Sequence, residues 1–307
     1  MDLSISIKVR IALFAAVLLS LSLSCLDTAA QTGRVDAEQV MRHVEQIVSY
    51  GPHPPGSEAQ KEVGGYIAGQ LQSHGLEVQT HTFYPVTPLG RREMTNIWGV
   101  VEGKEDSIII LASHYDSKYF EDFSFLGAND GGSSSGLLLE LARILKQDNP
   151  TDYSLWFVFF DGEEAFVDWT SADSIYGSRE FVRMLKGRNQ LGKISALILL
   201  DMVGEKDLVL RKEINSMPWM NQIIWDQGGE MGYGDIFQSR GNTGAQDDHL
   251  PFAREGIPVV DIIDLDYAYW HKKEDTLDKL SPDNLRIVGD VVLASLPEIG
   301  RRLKESP

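Results

Sequence analysis

The stretch Leu155-Trp156-Phe157-Val158-Phe159-Phe160 runs without a polar residue into Asp161-Gly162-Glu163-Glu164. A short, unbroken apolar run rich in aromatic residues, bounded by a turn signal, predicts a strand buried on both faces, as in a parallel sheet. An acidic pair alone usually belongs to a solvated loop. Delivery from the end of a buried strand argues against that here. Three other runs have the same form. Residues 107–113 lead into His114-Tyr115-Asp116, residues 194–200 into Asp201, and residues 258–263 into a short loop that reaches Trp270-His271. Helical stretches at 136–145 and 178–186 lie between these runs.

Working outward, Val40, Val44 and Ile47 recur at helical spacing within 35–50. The breaker-rich segment 51–57 follows, with Ser57 placed to cap a second helix to about residue 72. Residues 78–83 and 96–101 alternate like strands, and residues 283–303 form a last helix. The fold class is therefore α/β: a single domain over residues 31–307, with a central twisted, mostly parallel (mixed) sheet flanked by helices on both faces. The patch 131–136 lacks the Gly-Lys-Ser/Thr ending of a phosphate loop, so nucleotide binding is not expected.

The 307 residues carry a net charge of −17, which residues 1–30 leave unchanged because they hold two charges of each sign. So acidic a surface repels phosphate backbones, and nucleic acid is excluded as a partner. Lys8 and Arg10 precede an apolar run from 11 to 23 and the small residues Thr28-Ala29-Ala30, the pattern of an export signal too short for a comfortable membrane span. Two processing routes fit. Cleavage after Ala30 leaves Gln31 first, and lipoprotein processing leaves Cys25 first and lipid-anchored. The expected protein is periplasmic or secreted, with no membrane span in its mature form. A monomer is expected. Cys25 is the single cysteine, so neither an internal disulfide nor a thiolate metal site is available.

Ligands of such sheets bind beyond the carboxyl ends of the strands. Converging there are His114, Glu163, Glu164, Asp201 and His271, with Asp130 on a further loop. Carboxylates and imidazoles without thiolates suit a catalytic zinc that keeps an open position. Adjacent side chains such as Glu163 and Glu164 point apart, so one can hold metal while the other faces substrate as a general base.

The order His114-Tyr115-Asp116, Asp130, Glu163-Glu164, Asp201, His271 resembles the zinc-dependent aminopeptidases with co-catalytic metals. Within that superfamily the chain is similar to the glutaminyl cyclases over roughly residues 35–305. The shared features are Lys118-Tyr119-Phe120 after His-Tyr-Asp, Trp169 after Glu-Glu-Ala-Phe, Tyr176-Gly177-Ser178-Arg179, Gln246-Asp247-Asp248-His249 and Trp270 before His271. The resemblance implies a zinc aminopeptidase-like fold and zinc as cofactor, with one ion held by Asp130, Glu164 and His271. It implies Glu163 as acid/base, with Asp201 and Asp247 as its hydrogen-bonding companions. Trp169 and Trp270 would line the substrate pocket, and Gln246 would seat the substrate amine through its backbone. His114 would lie near the metal, as a second-metal ligand or as a hydrogen-bonding partner behind the site. A cis peptide between Asp130 and Gly131 is implied as well. The chain departs from the animal enzymes in lacking their disulfide, in having Gly131 where serine is common, and in having Ala245 where a larger aliphatic is usual. The implied activity is cyclisation of N-terminal glutamine of peptides and proteins to pyroglutamate with release of ammonia. The alternative is a two-zinc aminopeptidase whose second site is His114, Asp130 and Asp201.

Overall fold

A computed structural model describes residues 34–305. The export-signal reading of residues 1–30, Cys25 included, lies outside the described residues. From Val35 on, the described residues form one compact unit. Helices α1 (Ala37–Ser49) and α2 (Glu58–Ser73) come first. Asp36 and Ser57 cap them by accepting from the N–H groups of Gln39 and Gln60, and Val40, Val44 and Ile47 are the buried stripe of α1. Strands β1 (Glu77–Phe83), β2 (Val86–Thr87), β3 (Gly90–Arg91), β4 (Met94–Val101) and β5 (Ile108–His114) follow. Next come α3 (Gly132–Gln147), β6 (Ser154–Phe160), α4 (Tyr176–Gly187) and β7 (Ile194–Asp201).

The main sheet has the order β1-β4-β6-β5-β7, closed by β10 (Val259–Ile263). Strands β6, β5, β7 and β10 are mutually parallel, whereas β4 runs antiparallel to both β6 and β1. The sheet is thus mixed, as expected, with its parallel half made of the four apolar runs. Their side chains alternate between two cores. On β6, Leu155, Phe157 and Phe159 face the core built with α1, α2, α3 and the last helix α7 (Pro282–Glu305). Trp156, Val158 and Phe160 face the core that holds Phe181 of α4. Burial on both faces is why these strands show no polar alternation. It also leaves His114, Asp161 and Asp201 stacked along one edge, where the parallel strands end.

Two elements differ from expectation. Helix α3 starts at Gly132 rather than near 136, because its first turn is buried through small residues instead of an apolar stripe. A Cβ on Gly136 would meet Val44 Cγ2 at 2.6 Å and the carbonyl oxygen of Val40 at 3.1 Å, so glycine lets α3 sit directly against α1. Between β7 and β10 lies a unit that apolar periodicity does not reveal. It consists of β8 (Leu210–Glu213), α5 (Pro218–Glu230), β9 (Phe237–Thr243) and the short α6 (Leu250–Ala253), with β8 and β9 paired in parallel. Strand β9 is mostly exposed and polar, which accounts for its weak signal.

Gly177, in the first turn of α4, is wedged against the strand end that carries the acidic pair. A Cβ there would lie 2.4 Å from the carbonyl oxygen of Asp161 and 2.6 Å from Asn96 Oδ1. Gly177→Ala is expected to cost about 1–3 kcal/mol, as overpacking commonly does, and to lower Tm by several degrees. Gly187→Ala, with nothing within 4 Å of the added methyl, should leave Tm unchanged or slightly raised. Thermal melting of the two variants side by side checks this.

Candidate active site

Buried carboxylates fix the loops beyond the strand ends by accepting hydrogen bonds from consecutive backbone N–H groups. Asp116, just past β5, is fully buried. Its Oδ1 accepts from Gly162 N (2.9 Å) and Glu163 N (3.1 Å), and its Oδ2 from Glu164 N (3.3 Å). Asp173 does the same further along the chain, accepting from the N–H groups of Phe166, Val167 and Asp168 and from the Tyr176 hydroxyl. The acidic pair therefore has a fixed backbone. Glu164 Oε1 lies 3.0 Å from His271 Nε2, and both glutamates line a cavity of about 390 Å³.

Asp130 enters from the loop before α3, and its Oδ2 lies 3.5 Å from His271 Nε2. The described residues contain no cis peptide, so the Asp130–Gly131 bond is trans, contrary to expectation. The chain turns through Gly131 itself, at φ 80°. A Cβ there would press on His114 Cε1 at 2.8 Å, which accounts for glycine at this position. His271 is a non-glycine residue with φ 54°. Its ring is held edge-on by Phe120 and Phe125, each 6.1 Å away between centroids, and is covered by Trp270 at 4.4 Å.

Asp130, Glu164 and His271 offer ligand atoms within 4.8 Å of one another, and so do His114, Asp130 and Asp201. The first set fits a zinc ion: two carboxylates and one imidazole, with Asp130 Oδ2 buried and without a hydrogen-bond partner. His114 Nε2 lies 3.2 Å from Asp201 Oδ1 and 3.3 Å from Asp130 Oδ1. Burial lowers the proton affinity of His114, but Asp201, Asp116 and Asp130 outweigh it and raise the pKa well above the usual value.

The carboxylates are tuned apart. Burial, then the charges of Glu164, Asp247 and Asp248, push Glu163 well above the ordinary range, against the pull of His114. Burial acts the same way on Glu164, yet His271 and Lys118 overcome it and hold Glu164 at about 2. Burial and the charge of Glu164 push Asp130 up to about 7. Lys118 Nζ reaches Glu164 Oε2 at 3.2 Å and the carbonyl oxygen of Ala165 at 2.9 Å, and lies 5.7 Å from the Trp169 ring. This role for Lys118 was not foreseen. The basic residue shortly after His-Tyr-Asp was the available signal.

The cavity is walled by Trp169 and Trp270, with Gln246, Asp247 and Asp201 also in its lining. Every residue expected at the site borders this cavity except His114, which sits behind it against Asp130 and Asp201. Asp201 pairs with His114, and Asp247 Oδ1 accepts from Asp248 N while its Oδ2 is buried without a partner. Near Asp247 lies a polar cluster that was not foreseen. His249 sits 3.4 Å from Glu213 Oε2 on one side and 3.4 Å from Asp261 Oδ2 on the other.

Residues 96–296 match peptidase family M28. A glutaminyl-peptide cyclotransferase from Bos taurus is 33% identical, over 78% of this chain and 76% of its own length. The crystal structure of a glutaminyl cyclase from an Acidobacteriales bacterium superposes with a TM-score of 0.84 at 36% identity, covering 90% of this chain and 98% of that one. That of a Zn-dependent exopeptidase from Parabacteroides distasonis does so with a TM-score of 0.80 at 28% identity, covering 86% and 99%. The chain belongs to peptidase family M28 and, within it, to the glutaminyl-peptide cyclotransferases.

Proposed function

We propose that the chain converts the N-terminal glutamine of peptides and proteins to pyroglutamate with release of ammonia, and that Asp130, Glu164 and His271 hold one zinc ion for this purpose. The observation that carries this reading is the meeting of Asp130, Glu164 and His271 in the wall of a cavity that Glu163, Trp169 and Trp270 also line. Glu164 is paired with His271 and Lys118, while Glu163 keeps a raised proton affinity in the same cavity. Zinc bound there supplies Lewis acidity toward the glutamine side-chain amide and its developing negative charge.

The protein's own groups do the rest. Trp169 and Trp270 provide flat apolar walls for the glutaminyl side chain, and the Gln246 backbone seats the α-amine. The reaction joins the α-amino nitrogen to the side-chain carbonyl carbon and breaks that carbon's bond to the amide nitrogen. Glu163 takes a proton from the attacking amine and returns it to the departing nitrogen, so ammonia leaves and no external nucleophile is consumed. Holding amine and carbonyl at attack distance supplies several kcal/mol, on the order of 7 or more at best. Asp201 and Asp247 share the cavity with Glu163, and the charge of Asp247 contributes to its raised proton affinity.

One observation favours a second reading, a two-zinc aminopeptidase: His114, Asp130 and Asp201 also converge within 4.8 Å. Against it stand the tryptophan walls of the cavity and the likeness to glutaminyl cyclases, which favour the cyclase reading. Export of the chain, by cleavage after Ala30 or lipidation at Cys25, rests on the composition of residues 1–30. Among the described residues no helix is long and apolar enough to cross a membrane.

Incubated with a Gln-initiated peptide, the protein is expected to yield the pyroglutamyl peptide and ammonia. Chelation should abolish this and added zinc restore it. Efficient release of the N-terminal residue, with Gln-peptides left uncyclised, would establish the aminopeptidase instead.

The acidic pair gives a sharper test. Glu163→Gln should retain zinc and lose about 10²-fold or more in kcat, as expected for loss of a proton shuttle. Glu164→Gln should lose zinc affinity first. Metal content by mass spectrometry beside kcat separates the two, and the reverse pattern would exchange their roles.

A further inference from the structure

We infer that Asp275 is a positioning residue that ties Asp130 to the loop carrying His271 and thereby sets how tightly the pair holds a metal. The inference rests on the zinc reading above. Asp275 is fully buried and does not line the cavity, so it acts only through what it holds. Its Oδ1 accepts from Asn129 N at 2.9 Å and from the Tyr267 hydroxyl at 2.7 Å, and its Oδ2 accepts from Asp130 N at 3.2 Å. One carboxylate thus satisfies the backbone of the loop presenting Asp130 and a side chain from the segment presenting His271.

Both ends need such a tether. Asp130 stands on a turn, outside any strand. The turn is otherwise pinned through Asn129, whose carbonyl accepts from Ser133 Oγ and whose Oδ1 accepts from Gly204 N. His271 has a left-handed backbone, which a residue with a Cβ keeps only where its surroundings over-determine it. Around it the segment from Tyr267 to Asp275 is a succession of tight turns, with Trp270 N donating to Tyr267 O and Asp275 N to Lys272 O. Tyr267 is buried, donates to Asp275 and does not line the substrate cavity. Asp275 therefore fixes the spacing between two candidate ligands that reach the site from separate segments. Asparagine at 275 keeps the shape but offers an amide N–H₂ where one of the carboxylate oxygens now accepts.

The test compares wild type, Asp275→Asn and Tyr267→Phe in three measurements: zinc affinity by competition with a chromogenic chelator, Tm of the metal-stripped protein, and kcat and KM on a Gln-peptide at saturating zinc. Asp275→Asn is expected to weaken zinc by about 10-fold or more, in line with other partners that orient metal ligands. It should lower kcat more than it alters KM, and shift the metal-free Tm by only a few degrees. Tyr267→Phe keeps both hydrogen bonds that the backbone N–H groups of Asn129 and Asp130 donate to Asp275, and should weaken zinc several-fold. A folded Asp275→Asn with wild-type zinc affinity and kcat, whatever its Tm, would overturn the role. If Asp275→Asn does not fold, Tyr267→Phe decides, and unchanged zinc affinity there overturns it. A wild-type protein that takes up no zinc would overturn the metal reading itself, whereas zinc bound normally by wild type and variants alike would overturn the role of Asp275 alone.

Discussion

Five carboxylates, those of Asp130, Glu163, Glu164, Asp201 and Asp247, are each no more than 5% exposed and border a single cavity. Two like charges 4 Å apart near a protein surface repel by about 4 kcal/mol, and more where water is excluded. A fold does not gather such groups unless something compensates them. His114, His271 and Lys118 supply part of the compensation, and raised proton affinity at Glu163 and Asp130 supplies more. Even so, Asp130 Oδ2 and Asp247 Oδ2 are buried without a hydrogen-bond partner, so the compensation within the cavity is incomplete.

The cluster survives because the surrounding architecture is stiff. Four parallel strands buried on both faces deliver the residues to one edge, and the loops beyond them are stapled by carboxylates that accept consecutive N–H groups. A carboxylate used this way does two things at once. It removes unsatisfied donors from a buried loop and fixes the direction in which the neighbouring side chains leave the backbone. Asp116 in this way fixes the backbone from which Glu163 and Glu164 both reach the cavity.

Much of this was legible in the sequence because buried parallel strands write themselves as apolar runs, and the polar residues right after such a run fall at the edge where ligands bind. Leu155–Phe160 and the acidic pair after it are the clearest case. The order of the polar triplets and the tryptophans, not periodicity, pointed to the cyclase type of cavity, and Trp169 and Trp270 do wall it. Sequence failed where burial is carried by small or polar groups. The first turn of α3 is buried through glycine and serine, β9 is polar and exposed, and the cluster of Glu213, His249 and Asp261 comes from three separate segments. The implied cis peptide at Asp130–Gly131 is absent, and a glycine there turns the chain through a positive φ. Asp275 looks like an ordinary surface acid in sequence, and nothing there shows that Asp116 and Asp173 serve as acceptors for loop backbone. Only their partners, chiefly backbone N–H groups of distant or irregular segments, show what they do.

The family joins cyclases to exopeptidases on one scaffold, and in this chain the residues for a second ion remain, with His114 lying between Asp130 and Asp201. Whether the histidine ring or a metal ion bridges those carboxylates separates the two chemistries physically. The most direct test is anomalous diffraction at the zinc edge from crystals of the zinc-loaded protein. One peak, surrounded by Asp130, Glu164 and His271 with Glu163 turned away toward the cavity, is the expected result. A second peak among His114, Asp130 and Asp201, or a single ion held by Glu163 in place of Glu164, would contradict it.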